Sequence, residues 1–143
     1  MELEELAETF EMLGDWEERY RYLIELGRKL PPLAEADHSE ANKVRGCMSQ
    51  VWMTAQTEPG PPLKLRFAGD SDAHIVKGLI SVLFLLYSDR SPRQILDTDV
   101  TEAFARLGLD NHLSMNRRNG FYSMVERIKH LAAEAAAGES AAA

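Results

Sequence analysis

Glu58-Pro59-Gly60-Pro61-Pro62 stands between two alternating runs near the middle of the chain, and no helix or strand can pass through it. Its three prolines lack a backbone N–H and Gly60 permits a reversal, so the segment forces the chain to turn. Before it, Cys47, Ser49, Val51 and Met53 fall on one side of an extended chain and Met48, Gln50, Trp52 and Thr54 on the other. After it, Leu63, Leu65 and Phe67 alternate with Lys64, Arg66 and Ala68. The pattern predicts a two-stranded hairpin whose second strand has one apolar and one cationic face.

Helical patterns flank this hairpin. Residues 1 to 26 read as helix with a stop and restart near Gly14, because Asp15-Trp16-Glu17-Glu18 has the form of a capping box. Trp16, Tyr20, Leu23 and Ile24 then follow one helical stripe, with Gly27 as the expected cap and Pro31-Pro32 opening a polar linker to residue 42. Beyond Gly69 everything reads as helix. Asp70, Ser71 and Asp72 offer N-cap oxygens to a segment, Ile75 to Leu86, with almost no polar face in its second half, so it should be the buried centre. Ser91-Pro92-Arg93-Gln94 opens the first of two short helices, and Val100, Phe104 and Leu107 mark the second, closed by Gly108. A last helix begins near Ser114 and carries Phe121, Met124, Val125, Ile128 and Leu131.

With 143 residues the chain is the size of one domain, expected over residues 1–138 with a frayed tail at 139–143. A net charge of −7 opposes nonspecific attraction to nucleic acid or an anionic membrane, which points to a protein partner. The longest apolar stretch, Leu79 to Tyr87, is interrupted by Ser81 and falls far below the ~20 residues of a bilayer span. One cysteine without a mate suits a reducing compartment, so a cytoplasmic location is expected.

That cysteine, Cys47, carries the most chemistry. A free cysteine is ordinarily a buried small hydrophobe. Here Lys43 and Arg45 stand close in sequence, where they would stabilise a thiolate, and Gly46 removes a side chain that would crowd an incoming sulfur. None of His38, His74, His112 and His130 falls in a local signature with Cys47, so a Cys–His hydrolytic pair has little support. Neither CxxC nor HxxxH spacing is present for a metal. Asp70, Asp72 and His74 read either as helix capping or as a polar rim beside the cysteine. Arg117 and Arg118 begin the last helix against its dipole, which reads either as plain solvated arginines or as a sign of a carboxylate partner or a binding role.

Taken together, Trp16, Arg19, Tyr20, Gly27, Leu30 and Pro31, then Gly46-Cys47-Met48-Ser49-Gln50-Val51-Trp52, then Gly69-Asp70-Ser71-Asp72-Ala73 and Ile75 to Leu79, resemble the SufE family of sulfur acceptors. The similarity covers about residues 12 to 133 and extends to Leu113-Ser114, Arg117 and Asn119-Gly120; Met48 stands where a glutamine is common. The resemblance implies an α+β fold, a small antiparallel sheet packed on helices as in iron–sulfur scaffolds of the IscU type. It also implies that Cys47 accepts persulfide sulfur from a cysteine desulfurase, stimulates that enzyme, and passes the sulfur towards a scaffold complex for iron–sulfur cluster assembly. Arg45, Gly46, Ser49, Asp72, His74 and Arg117 are the expected loop and rim residues. Pyridoxal phosphate would belong to the desulfurase, and this chain is expected to bind neither cofactor nor metal. Two other classes stay open: an IscU-like scaffold, which would carry iron, and a redox-regulated binding module, which would form a sulfenic acid without stimulating a desulfurase.

Overall fold

Gly14 and Asp15 divide the N-terminal helical stretch in two. The computed structural model describes residues 2–142, with side chains through residue 138. Helix α1 (Leu3–Leu13) ends at Gly14, whose φ of 78° lies in the region that favours glycine. Helix α2 (Trp16–Arg28) starts from Asp15, whose Oδ1 accepts the Glu18 N–H at 2.8 Å.

Gly27 is not the cap that its position suggests, since α2 runs through it to Arg28. A β-carbon there would sit 2.6 Å from the main-chain nitrogen of Gly78, and one on Gly78 would overlap the Leu23 carbonyl oxygen. The two glycines let α2 and the central helix α3 (His74–Tyr87) meet backbone to backbone. A lone glycine at the end of an apolar stripe looks the same from sequence whether it caps the helix or admits a neighbour.

The polar linker folds into two single 3-10 turns, Glu35–Asp37 and Glu40–Asn42. The hairpin follows, with β1 (Val51–Glu58) antiparallel to β2 (Lys64–Ser71) and a register running from Val51 opposite Ser71 to Glu58 opposite Lys64. Val51, Met53, Leu65 and Phe67 are buried, while Lys64 and Arg66 are exposed, as the alternation requires. The first strand starts four residues later than the pattern suggests. Gln50 exchanges two hydrogen bonds with Asp72, its N–H donating to Oδ1 at 3.0 Å and its carbonyl accepting the Asp72 N–H at 3.2 Å. That pairing closes the end of the ladder and leaves residues 45–50 as a loop.

The three acceptors expected to cap α3 are engaged elsewhere. Its N-cap residue is Ala73, which makes no side-chain cap; Ser71 Oγ accepts the Ala73 N–H, Asp72 holds Gln50, and Asp70 belongs to β2. The burial of α3 is as expected, with Ile75, Val76, Leu79, Ile80, Val82 and Leu83 all inside. Each such aliphatic contributes roughly 1.5–3 kcal/mol.

Helix α4 (Pro92–Asp97) opens with a full capping box between Ser91 and Gln94, and α5 (Val100–Arg106) follows. One further turn, α6 (Leu109–His112), adds a third short helix where two are expected; Gly108 turns the chain into it at φ 73°. Helix α7 (Met115–Ala142) packs against α4, β1 and α3, with Phe121, Met124, Val125 and Ile128 buried. Its backbone stays helical to Ala142; Ala143 and the side chains of 139–142, where fraying is expected, lie outside the described residues. The hydrophobic core is one cluster that draws on α1 through α7 and both strands. The architecture is α+β: one small antiparallel sheet packed on helices.

Candidate functional site

Val44 N–H donates to the Val51 carbonyl at 2.8 Å, and both residues are buried. With the Gln50–Asp72 pair this closes the base of a six-residue loop, Arg45 to Gln50, that carries the only cysteine of the chain. Gly46 turns the loop at φ 87°. It does so against α7, for Ser123 Oγ lies 2.5 Å from where a β-carbon on Gly46 would be.

Cys47 is half-buried, and its Sγ donates to the carbonyl of Gly120 at 3.5 Å. One turn further along α7 is the Ser123–Gly46 contact, and one more turn brings Arg127, whose Nη2 donates to the carbonyls of Ala41 and Met53 at 3.3 and 3.4 Å. Gly120, Ser123 and Arg127 share one helical face. The segment from Ala41 to Cys47 therefore lies along α7 with a contact at each turn.

Beneath the loop is a cavity of about 280 Å³. Val51 of β1, Val76 and Leu79 of α3, and Phe121 and Met124 of α7 supply its apolar wall, and Cys47 stands among them. Ser49, Ser114, Asn116 and Arg117 make the polar part of the lining. Met48 lines it as well and is 83% exposed; Met115, between two of the lining residues, is 75% exposed. Large apolar side chains left in solvent beside a cavity suit a surface that a partner covers.

Burial pushes the Cys47 thiol above its ordinary value. This overturns the expectation of a thiolate stabilised by Lys43 and Arg45. Arg45 Nη2 instead pairs with Glu40 at 3.2 Å, with both side chains about three-quarters exposed. Closeness in sequence does not carry over, because Gly46 bends the chain between the cation and the thiol. In this resting geometry the sulfur is a protonated, partly shielded thiol, and only a change of environment makes it a strong nucleophile.

The site unites Cys47, Ser49 and Arg117, three of the residues expected from the sequence, around one cavity. Gly46, expected to keep an incoming sulfur uncrowded, is found at the turn of the loop. Asp72 serves the loop through the Gln50 main chain and does not line the cavity, and His74, the first residue of α3, does not line it either. The polar rim of Asp70, Asp72 and His74 is thus corrected: Asp70 turns away to His38 and Lys77. Arg118 meets a main-chain carbonyl, that of Asp110, in place of a carboxylate. The sequence reading missed Ser123, Arg127, Val76 and Leu79 as parts of the site. Phe121 and Met124 were legible as a buried stripe, but nothing in a stripe tells which element covers it.

The fold and site define a class, an α+β domain with a solitary thiol on a closed loop above an apolar cavity. A family model described as "SufE: Fe-S metabolism associated domain" matches residues 4–132. The chain belongs to the SufE family, whose domain is associated with iron–sulfur metabolism. It is 46% identical over 129 residues to an uncharacterized SufE-like protein of Rhizobium etli, covering 89% of this chain and 86% of that one. A second uncharacterized SufE-like protein, from Rhizobium meliloti, is 43% identical over 129 residues, covering 89% of this chain and 91% of the other. The solution structure of a hypothetical protein from Thermus thermophilus shares the fold at a TM-score of 0.74 and 23% identity, over 94% of this chain and 96% of that one. Among the described residues no helix is long and apolar enough to cross a membrane.

Proposed function

We propose that this protein accepts sulfane sulfur on Cys47 from a pyridoxal-phosphate-dependent cysteine desulfurase, stimulates that enzyme, and carries the sulfur to an iron–sulfur scaffold complex in the cytoplasm. The observation that supports this most is the setting of Cys47: a lone thiol on a base-closed loop, half-buried over a largely apolar cavity. Family membership supports the same reading.

The transfer is an exchange at sulfur. The Cys47 thiolate attacks the terminal sulfur of the partner's cysteine persulfide, a new S–S bond forms at Cys47, and the partner's S–S bond breaks. The electron pair of the broken bond leaves on the partner's cysteine as a thiolate, and no outside oxidant or reductant is required. Delivery repeats the exchange with Cys47 as the leaving group. Pyridoxal phosphate stays on the desulfurase throughout.

Burial and the Gly120 carbonyl hold the resting thiol protonated and quiet. Docking lifts the loop from α7, removes the desolvation that disfavours the thiolate, and so activates Cys47 only at the interface. Met48 and Met115 give the partner apolar surface beside the sulfur. After transfer the loop returns, and the cavity keeps the persulfide from small thiols and oxidants. Desulfurase turnover measured as alanine release tests the reading: addition of this protein should raise it, Cys47→Ser should not, and equal turnover with and without the wild type would overturn it.

A further inference from the structure

Gly120 has no evident backbone reason to be glycine. It lies inside α7, five residues after the helix begins, and it is not among the glycines with positive φ. A glycine there costs helix stability relative to alanine. Nor does packing against the resting thiol require it, because a β-carbon at position 120 would stand 3.6 Å from Cys47 Sγ and 4.0 Å from its Cβ, both ordinary van der Waals contacts. The thiol form of this protein would therefore tolerate alanine.

A persulfide is different. Its second sulfur lies ~2.05 Å beyond Sγ. The space over the bare Cα of Gly120 is next to Sγ and opens on the cavity, since Gly120 lines it with Phe121 and Met124. A second sulfur on that side of Sγ and a β-carbon 3.6 Å from Sγ could not both fit, and a close-packed wall gives way only at a cost. We propose that the bare face of Gly120 is the seat of the second sulfur, and that this residue makes the resting cavity fit the Cys47 persulfide as well as the thiol.

This inference rests on the carrier reading above, and its test is arranged to stand apart from the desulfurase. Inorganic tetrasulfide loads Cys47 directly: the thiolate takes one sulfur, forming the persulfide, and trisulfide leaves with the electron pair of the broken bond. Wild type, Gly120→Ala and Gly138→Ala would be loaded to equal extent by intact mass, then treated with excess dithiothreitol while loss of the added sulfur is followed. Gly138 is the control, on the same helix with nothing within 4 Å of its would-be β-carbon.

Gly120→Ala should lose sulfur about tenfold faster than wild type, equivalent to ~1.4 kcal/mol of lost protection. Gly138→Ala should match wild type. Iodoacetamide alkylation of the unloaded thiol should remain within about twofold of wild type in Gly120→Ala, because the resting contact is ordinary. Equal persulfide lifetimes in wild type and Gly120→Ala would overturn the proposal. So would thiol alkylation accelerated as much as sulfur loss, which would mean that the whole loop had been displaced. Failure of desulfurase transfer with the lifetime difference intact would instead count against the carrier reading alone.

Discussion

His38 and Asp70 form a bridge of 2.7 Å between the linker and the end of β2. The other ring nitrogen of His38, Nδ1, is 3.1 Å from the Ala34 carbonyl, so both nitrogens face acceptors and the ring satisfies both only as imidazolium. The edge of the pair rests on Trp52, with ring centroids 4.7 Å apart, and Lys77 Nζ stands 3.6 Å from Asp70 on its other side. The Asp70 hydrogen bond raises the His38 pKa above 6.5, outweighing burial, with help from the Ala34 carbonyl. For Asp70, burial pushes the carboxyl up, but His38, the Ser71 N–H and Lys77 together bring it below 3.8.

A raised histidine stabilises the fold fully below its unfolded pKa and loses that contribution as pH rises through the folded value. A lowered aspartate contributes above its unfolded pKa and loses it as pH falls through the folded value. The bridge is therefore complete from about pH 4 to about pH 6.5 and weakens on the alkaline side. Thermal unfolding of wild type and His38→Gln checks this: the wild-type advantage should be present at about pH 6 and shrink by about pH 9. A difference that does not change with pH would contradict it.

Gly46→Ala should release the cysteine loop. It strains a backbone held at φ 87° and drives a methyl group onto Ser123 Oγ, for a cost of about 1–2 kcal/mol. Iodoacetamide should then label Cys47 faster than in wild type. Adding Ser123→Ala should recover part of the loss, since it removes the contact and leaves the strain; no recovery would mean that Ser123 does not confine the loop.

Arg127→Met removes the donor that joins α7 to the Ala41 and Met53 carbonyls. The expected cost is about 1 kcal/mol, since the bond to Met53 is partly buried and the one to Ala41 is exposed. Hydrogen exchange should show the increase in opening concentrated between residues 41 and 53, and an increase spread evenly over the chain would refute a local tether.

Gly78→Ala tests the closest approach in the fold. Its methyl group would meet the Leu23 main chain, which has little room to move, so destabilisation by about 3 kcal/mol is expected from the denaturant midpoint. A change below about 0.5 kcal/mol, the range of an ordinary surface substitution, would show that α2 and α3 are more loosely packed.

The hairpin, the buried centre at α3 and the helix starts at Asp15 and Ser91 were legible because each depends on residues within one or two turns of one another. Gly27 and Asp72 were misread for the complementary reason. Each has a local role that fits, a cap in both cases, while its actual partner lies far along the chain: Gly78 for the first and Gln50 for the second. Cys47 shows the same division. Its identity as the chemical residue could be read from the motif around it, but its protonation could not, because the thiol is half-buried against α7, far along the chain, while the nearby cation Arg45 turns to Glu40. The α7 contacts at Gly120, Ser123 and Arg127 left no local trace, since a helix face encodes that it is covered and not by what.

Intact-mass analysis after incubation with a cysteine desulfurase and cysteine measures sulfur arrival on Cys47 directly. Sulfur transfer through this residue predicts one added sulfur on the wild type, mapped to the Cys47 peptide and removed by reductant, and none on Cys47→Ser. The same yield of adduct on Cys47→Ser, or no adduct on a wild type that the desulfurase demonstrably binds, would contradict it.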